Sequence, residues 1–135
     1  MKYLLDTCVI SDFVKSEPHT INKIKHISPS QIIVSTIAVM ELRYGLYLNP
    51  ERAKKVEHII NAFLATTAII DFNKDDADAA AEINATLKQQ GTPIGAYDVL
   101  LAGIARQRNL ILVSSNVKEF QRVKNLHLQN WRVNS

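Results

Sequence analysis

Residues 1–10 read MKYLLDTCVI. Met1, Tyr3, Leu4 and Leu5, broken only by Lys2, make a short apolar run of the kind found in a strand buried on both faces. Asp6 and Thr7 end that run, and the next apolar run, Cys8 to Ile10, begins at once. In TCVISDFVK the spacing of Val9, Ile10, Phe13 and Val14 is that of one helical face, so the stretch reads as strand, carboxylate, helix.

The same alternation continues along the chain. Pro18 suits the first turn of a second helix, HTINKIKHI, with Ile21, Ile24 and Ile27 on one side. QIIVS follows the breaker SPS as a strand, and TIAVMELRYGL and PERAKKVEHIINAFLAT follow as helices. AIIDF is a third strand. KDDADAAAEINATLKQQ is a helix with an acidic start and a basic end, matching the macrodipole. After the breaker GTPIG, AYDVLLAGIARQRN is a helix, LILVS a fourth strand, and LHLQNW a fifth at a sheet edge. Strands alternating with helices of this length predict an α/β fold, a doubly wound and mostly parallel sheet of four to five strands with helices on both faces. Ligands of such sheets bind beyond the carboxyl ends of the strands, and Asp6 falls at such an end.

The chain has 135 residues, 47% apolar and 21% charged, which suits one globular domain over 1–135 with a core of its own. No apolar run reaches the roughly 20 residues of a membrane span. Nothing at the start reads as an export signal, and the single cysteine, Cys8, fits a reducing cytoplasm. Residues 1–98 carry ten basic and twelve acidic side chains, whereas residues 99–135 carry six basic ones against Glu119 alone. That basic third is either a solvated face or a footprint for a polyanion, with Arg106, Arg108, Lys118 and Arg122 as the candidate contacts.

Three carboxylates fall where apolar residues are expected. Glu41 has Ile37 and Tyr44 as helical neighbours, and Asp98 has Leu101, Ala102 and Ala105. Each has an ordinary structural explanation: a helix cap for Asp6, a buried ion pair with Arg43 or another arginine for Glu41, a first-turn acid favoured by the dipole for Asp98. A shared site explains all three together. Carboxylates gathered at one sheet edge repel unless a cation neutralises them, and oxygen ligands select a hard cation, Mg²⁺ or Mn²⁺. Asn116, after the fourth strand, forms a capping box with Glu119 on spacing alone, and Thr7, Ser114 and Asn116 are candidates to support the metal ligands. The histidines lack metal-ligand spacing, and phosphate-loop and nucleophile-elbow motifs are absent.

LLDTCVI, STIAVMELRYGL, GTPIGAYDVLLAGIARQRNLILVSSNVKEFQRV and Trp131 together resemble a PIN-domain ribonuclease of the VapC toxin group, over essentially the whole chain. The resemblance implies an RNase H-like fold and a toxin that is a Mg²⁺- or Mn²⁺-dependent endoribonuclease. It implies Asp6 and Asp98 as principal metal ligands and Glu41 as the third acidic position. It also implies RNA as substrate, with a tRNA anticodon loop as one candidate, a homodimer, and a cognate VapB-like antitoxin. Cys8 departs from the asparagine usual after the LDT of the family, and so alters the surroundings of Asp6. Two rival readings stand beside this one. A non-catalytic binding module of the same fold is the first. The second is an aspartyl phosphotransferase with Asp6 as nucleophile, which would want a second aspartate where Cys8 stands.

Overall fold

A computed structural model of the chain describes residues 1–133. Five strands, β1 (Tyr3–Leu5), β2 (Ile32–Ser35), β3 (Ala68–Ile70), β4 (Ile111–Val113) and β5 (His127–Gln129), form one sheet in the order β3-β2-β1-β4-β5. All four pairings are parallel. Seven α-helices are described: α1 (Thr7–Val14), α2 (Pro18–Lys25), α3 (Thr36–Leu48), α4 (Pro50–Ala65), α5 (Lys74–Gln89), α6 (Ala96–Gln107) and α7 (Val117–Phe120). The fold is therefore the doubly wound α/β sheet expected, with the fifth strand at an edge as anticipated.

Local chemistry sets the helix starts. Pro18 and Pro50 occupy first turns, where a missing N–H costs nothing. Asn49 accepts from the Arg52 N–H at 3.1 Å, and Glu17 accepts from the N–H groups of His19 and Thr20. Asn73 and Asp76 form a reciprocal capping box at the start of α5.

Leu4 and Leu5 are both fully buried, one on each side of the sheet. Leu4, Ile33 and Leu112 meet α5 and α6 through Ile83, Leu87, Leu101 and Ile104. Leu5, Val34 and Val113 meet α1, α3 and α4 through Ile10, Leu42 and Phe63. α6 lies close against α5 because residue 103 is glycine: a Cβ there would come within 2.9 Å of Ala80. Trp131 closes the second core, edge-on to Tyr3 with ring centres 5.5 Å apart.

The chain moves outward from β1 through β2 to β3, then returns to the other side of β1 to lay down β4 and β5. The gap between the carboxyl ends of β1 and β4 is the switch point where such sheets place ligands. The Asp6 N–H donates to the Val113 carbonyl at 2.9 Å, which carries the β1–β4 pairing one residue further. α3 packs on both layers, Ile37 into one and Ala38 and Leu42 into the other, so it lies across this edge.

Candidate functional site

Asp6 is a helix cap that also reaches across the switch point, where it joins the candidate site. It is the N-cap of α1 in extended conformation, and its Oδ1 accepts from the Thr7 N–H at 2.7 Å. Its Oδ2 accepts from the Ser114 hydroxyl at 2.7 Å, across the switch point at the end of β4. Asp6 and Ser114 are both buried. Thr7 performs two tasks: its amide holds Asp6, and its hydroxyl donates to Glu41 Oε1 at 2.9 Å. Glu41 meets no arginine among the described residues, so the ion-pair explanation for it does not hold. Burial pushes the Glu41 carboxyl above its usual range, and the charge of Asp6 adds to this against the Thr7 hydrogen bond.

Asp98 enters from the first turn of α6, but it is not the cap. Gly95 is, and it caps without a side-chain hydrogen bond. A Cβ at residue 95 would sit 3.1 Å from Asp98 Oδ2, so the glycine leaves room for that carboxylate above the helix start. Asp98 accepts from Asn116 Nδ2 at 3.2 Å. Burial pushes its carboxyl up to about 6, and the negative charges of Asp6, Glu119 and Glu41 push the same way. Four carboxylates from β1–α1, α3, α6 and α7 thus act on one another at the sheet edge.

Asn116 does not form the capping box that its spacing suggests. It heads α7, but its side chain makes no cap. Its amide instead lies between two acids, donating to Asp98 and, at 3.1 Å, to Glu119 Oε2. The two hydrogens of its amide NH2 serve the two carboxylates. Its own N–H donates to Ser114 Oγ at 3.0 Å, which completes a chain from α7 through Ser114 to Asp6. Glu119, read from sequence only as a capping partner, is the residue sequence reasoning missed. The Asn116 hydrogen bond holds its carboxyl below the usual range. Its signal was its place one turn after the site asparagine.

Cys8 is half-buried, with Sγ 3.7 Å from Asp6 Oδ2 and accepting from the Ser115 hydroxyl at 3.4 Å. Burial, then the charge of Asp6, push its thiol up, so it is neutral beside the site and has no histidine to activate it.

Among the described residues, no three carboxylate, imidazole or thiol groups converge tightly enough to enclose an ion as they stand. The donor set nonetheless fits a hard divalent cation: three carboxylates raised or crowded by each other's charge, hydroxyls around them, and no soft ligand but a neutral thiol.

The basic third of the chain is deployed differently from the expectation. Arg108 pairs with the buried Asp76 at 2.7 Å and donates to the Asp71 carbonyl, and Arg106 pairs with Glu82. Arg132 grips Asp12 with two bonds of 2.6 and 2.8 Å. These arginines face acids of the first 98 residues, so half of the six positive charges of the C-terminal third are neutralised by the earlier chain. Arg106 and Arg108 are structural partners and are not carried forward as RNA contacts. Arg122 donates to the Pro93 carbonyl at 2.9 Å, steadying the loop before α6, and Lys118 is exposed beside Glu119.

The PIN domain family matches residues 3–126. The tRNA(fMet)-specific endonuclease VapC of Salmonella typhimurium is 32% identical over 133 residues, covering 97% of this chain and 98% of that protein. Ribonuclease VapC2 of Haemophilus influenzae is 35% identical over 131 residues, with the same coverage. The solved VapBC2 complex of Rickettsia felis, bound to a DNA fragment from its promoter, superposes with a TM-score of 0.88 at 31% identity, over 97% of this chain and 99% of that one. With the fold, the switch-point acids and near full-length relatives in agreement, the chain belongs to the PIN-domain family, in its VapC ribonuclease branch.

Proposed function

We propose that the chain is the toxin of a toxin–antitoxin pair, an endoribonuclease whose divalent cation is held by Asp6, Asp98 and Glu41. PIN nucleases generally depend on a divalent metal, and the all-oxygen donor set favours Mg²⁺ or Mn²⁺ here. The observation that carries the reading is the convergence of three carboxylates from separate elements at the switch point, with Asp98 pushed up to about 6 by burial and its acidic neighbours. A half-buried like-charge cluster of this kind is unfavourable unless a cation relieves it.

When bound, such a cation lowers the pKa of a coordinated water and draws charge from the phosphate under attack. The chain's own residues prepare that chemistry. Ser114 and the Thr7 amide fix both oxygens of Asp6, and the Thr7 hydroxyl fixes Glu41. Asn116 aims Asp98 and keeps Glu119 ionised beside it. The proton that Asp98 carries below about pH 6 must leave before the carboxylate can bind a cation.

The substrate is RNA. The name of the Salmonella relative makes a tRNA anticodon loop the first candidate, and an unstacked loop is the form of RNA that proteins cut most specifically. Lys118 and Arg122 are the remaining candidates for backbone contacts. The partners are a second copy of the chain and a VapB-like antitoxin that sets a basic side chain among the acids. We place the protein in the cytoplasm, as one domain over 1–135. No helix among the described residues is long and apolar enough to cross a membrane.

The test is incubation of purified protein with single-stranded and tRNA substrates. Cleavage is expected with Mg²⁺ or Mn²⁺, none with excess EDTA, and a loss of at least a hundredfold in Asp98→Asn. Cleavage that survives exhaustive chelation overturns the metal mechanism. An Asp98→Asn protein of wild-type activity removes Asp98 from the site.

A further inference from the structure

A cavity of about 130 Å³ opens between α1, α3 and α4 and adjoins the acidic site, with which it shares Thr7 and Glu41. We infer that this cavity seats one unstacked nucleobase of the RNA beside the bond that is cut, with Arg52 on an adjoining phosphate. The inference rests on the endoribonuclease reading above and adds to it a base-binding subsite.

Size is the first argument. A cavity near 150 Å³ admits a single aromatic ring, so this one suits a base and excludes a base pair or a folded peptide segment. The lining is the second. Leu42, Val56 and Ile60 supply apolar wall, while Thr7, Ser11 and Glu41 supply a few polar edges, the mixture by which small planar ligands are held and oriented. With Oε1 held by the Thr7 hydroxyl, the Glu41 carboxylate keeps acceptor capacity for the N–H edge of a base. Charge is the third argument. Glu51 is paired with Lys54, whereas Arg52, which lines the cavity, has no carboxylate within ion-pair distance among the described residues. An arginine without an acidic partner in such a lining is free to bind a backbone phosphate of the RNA. Finally, the space is kept open by a glycine. Gly45 lies inside α3, where alanine or leucine would favour the helix, and a Cβ added there meets nothing within 4 Å. Proteins that read RNA by sequence bind splayed single-stranded bases in pockets of this kind.

The experiment uses an RNA oligonucleotide spanning the cleavage position mapped with wild-type protein, and two derivatives with one abasic position on either side of the cut bond. One of the two abasic RNAs is expected to raise the wild-type KM about tenfold, the order of one lost base contact. Gly45→Leu, which fills the cavity, and Arg52→Ala are each expected to raise KM about tenfold on intact RNA. In Gly45→Leu the abasic position should add no further loss, since the base it removes is no longer seated. Gly45→Leu should melt at or above the wild-type temperature and show the wild-type Mn²⁺-induced shift in Tm. Lys54→Ala should leave KM unchanged. If both abasic RNAs are cut with unchanged KM, or if Gly45→Leu folds and keeps the wild-type KM, the subsite is overturned while the nuclease reading stands. If Gly45→Leu fails to fold, an Arg52→Ala protein with wild-type KM overturns the phosphate contact, and the abasic RNAs decide the base contact. A wild-type protein that cuts no RNA overturns both readings.

Discussion

Asp98 is the residue at which structure and chemistry pull hardest against each other. Its carboxyl titrates near 6 in the folded protein and near its ordinary 3.8 in the unfolded chain. Between those values the folded state holds more protons, so its stability falls as pH rises through the window. Glu41, also pushed up, acts in the same direction. Glu17, held at about 2 by hydrogen bonds from Thr20 and His19, acts oppositely and only at lower pH. Metal-free protein is therefore expected to melt at higher temperature at pH 5 than at pH 7, and Asp98→Asn to flatten that difference. Thermal melts in EDTA at both pH values check it, and an equal pH response in the two proteins would separate Asp98 from the cluster. Asp6, Glu41 and Asp98 were legible in the sequence because a carboxylate stands out on an apolar stripe or at a strand end. Asn116 was read as a supporting residue, but the cap that its spacing to Glu119 suggests does not form, because one spacing serves a cap and a carboxylate bridge alike. Only the approach of α6, which brings Asp98 alongside, decides between them.

The elements show how a charge on the page of the sequence can be read in the wrong place. Arg108, at the end of α6, reaches back to Asp76 in the first turn of α5, whose side chain is fully buried. Burial alone would raise the Asp76 carboxyl, but the hydrogen bonds from Arg108 and the Asn73 N–H prevail and hold it below its usual range. Removing the arginine leaves a buried carboxylate with only that amide, so Arg108→Ala is expected to cost about 3 kcal/mol in urea unfolding at pH 7. KM for RNA, measured well below the melting temperature, should not change. A raised KM with unchanged stability would return Arg108 to the role of phosphate contact. Strand and helix positions were legible because short continuous apolar runs give way to the 3.6-residue spacing of helices, and proline marks two of the helix starts. Pairings between elements were not. Nothing in GIARQR says that Gly103 admits Ala80 or that Arg106 finds Glu82, since both contacts arise only when α5 and α6 lie together.

For the whole molecule, the strand order explains why one end of the sheet is acidic, and three arginines of the basic C-terminal third, Arg106, Arg108 and Arg132, pair with acids from earlier in the chain. The order itself was legible only as a class, because alternation predicts a doubly wound sheet but not which strand neighbours which. Four of the eight large exposed apolar side chains among the described residues lie on α3. Met40, Tyr44, Tyr47 and Leu48 fall one and two turns apart on a single stripe, and Tyr47 is 84% exposed. A contiguous apolar stripe is costly to leave in water and is usual at an interface between copies. The stripe lies on the helix that carries Glu41, so pairing through it would bring two acidic sites towards one another and favour one continuous RNA path. The chain is therefore expected to be a dimer through α3, and Tyr47→Asp, an exposed change that disturbs no core contact, should give a monomer. Light scattering across a range of concentrations measures this, with thermal melts to confirm that the variant is folded. A folded Tyr47→Asp protein that stays dimeric would move the interface away from α3, and a wild-type protein that is monomeric throughout would remove the dimer altogether.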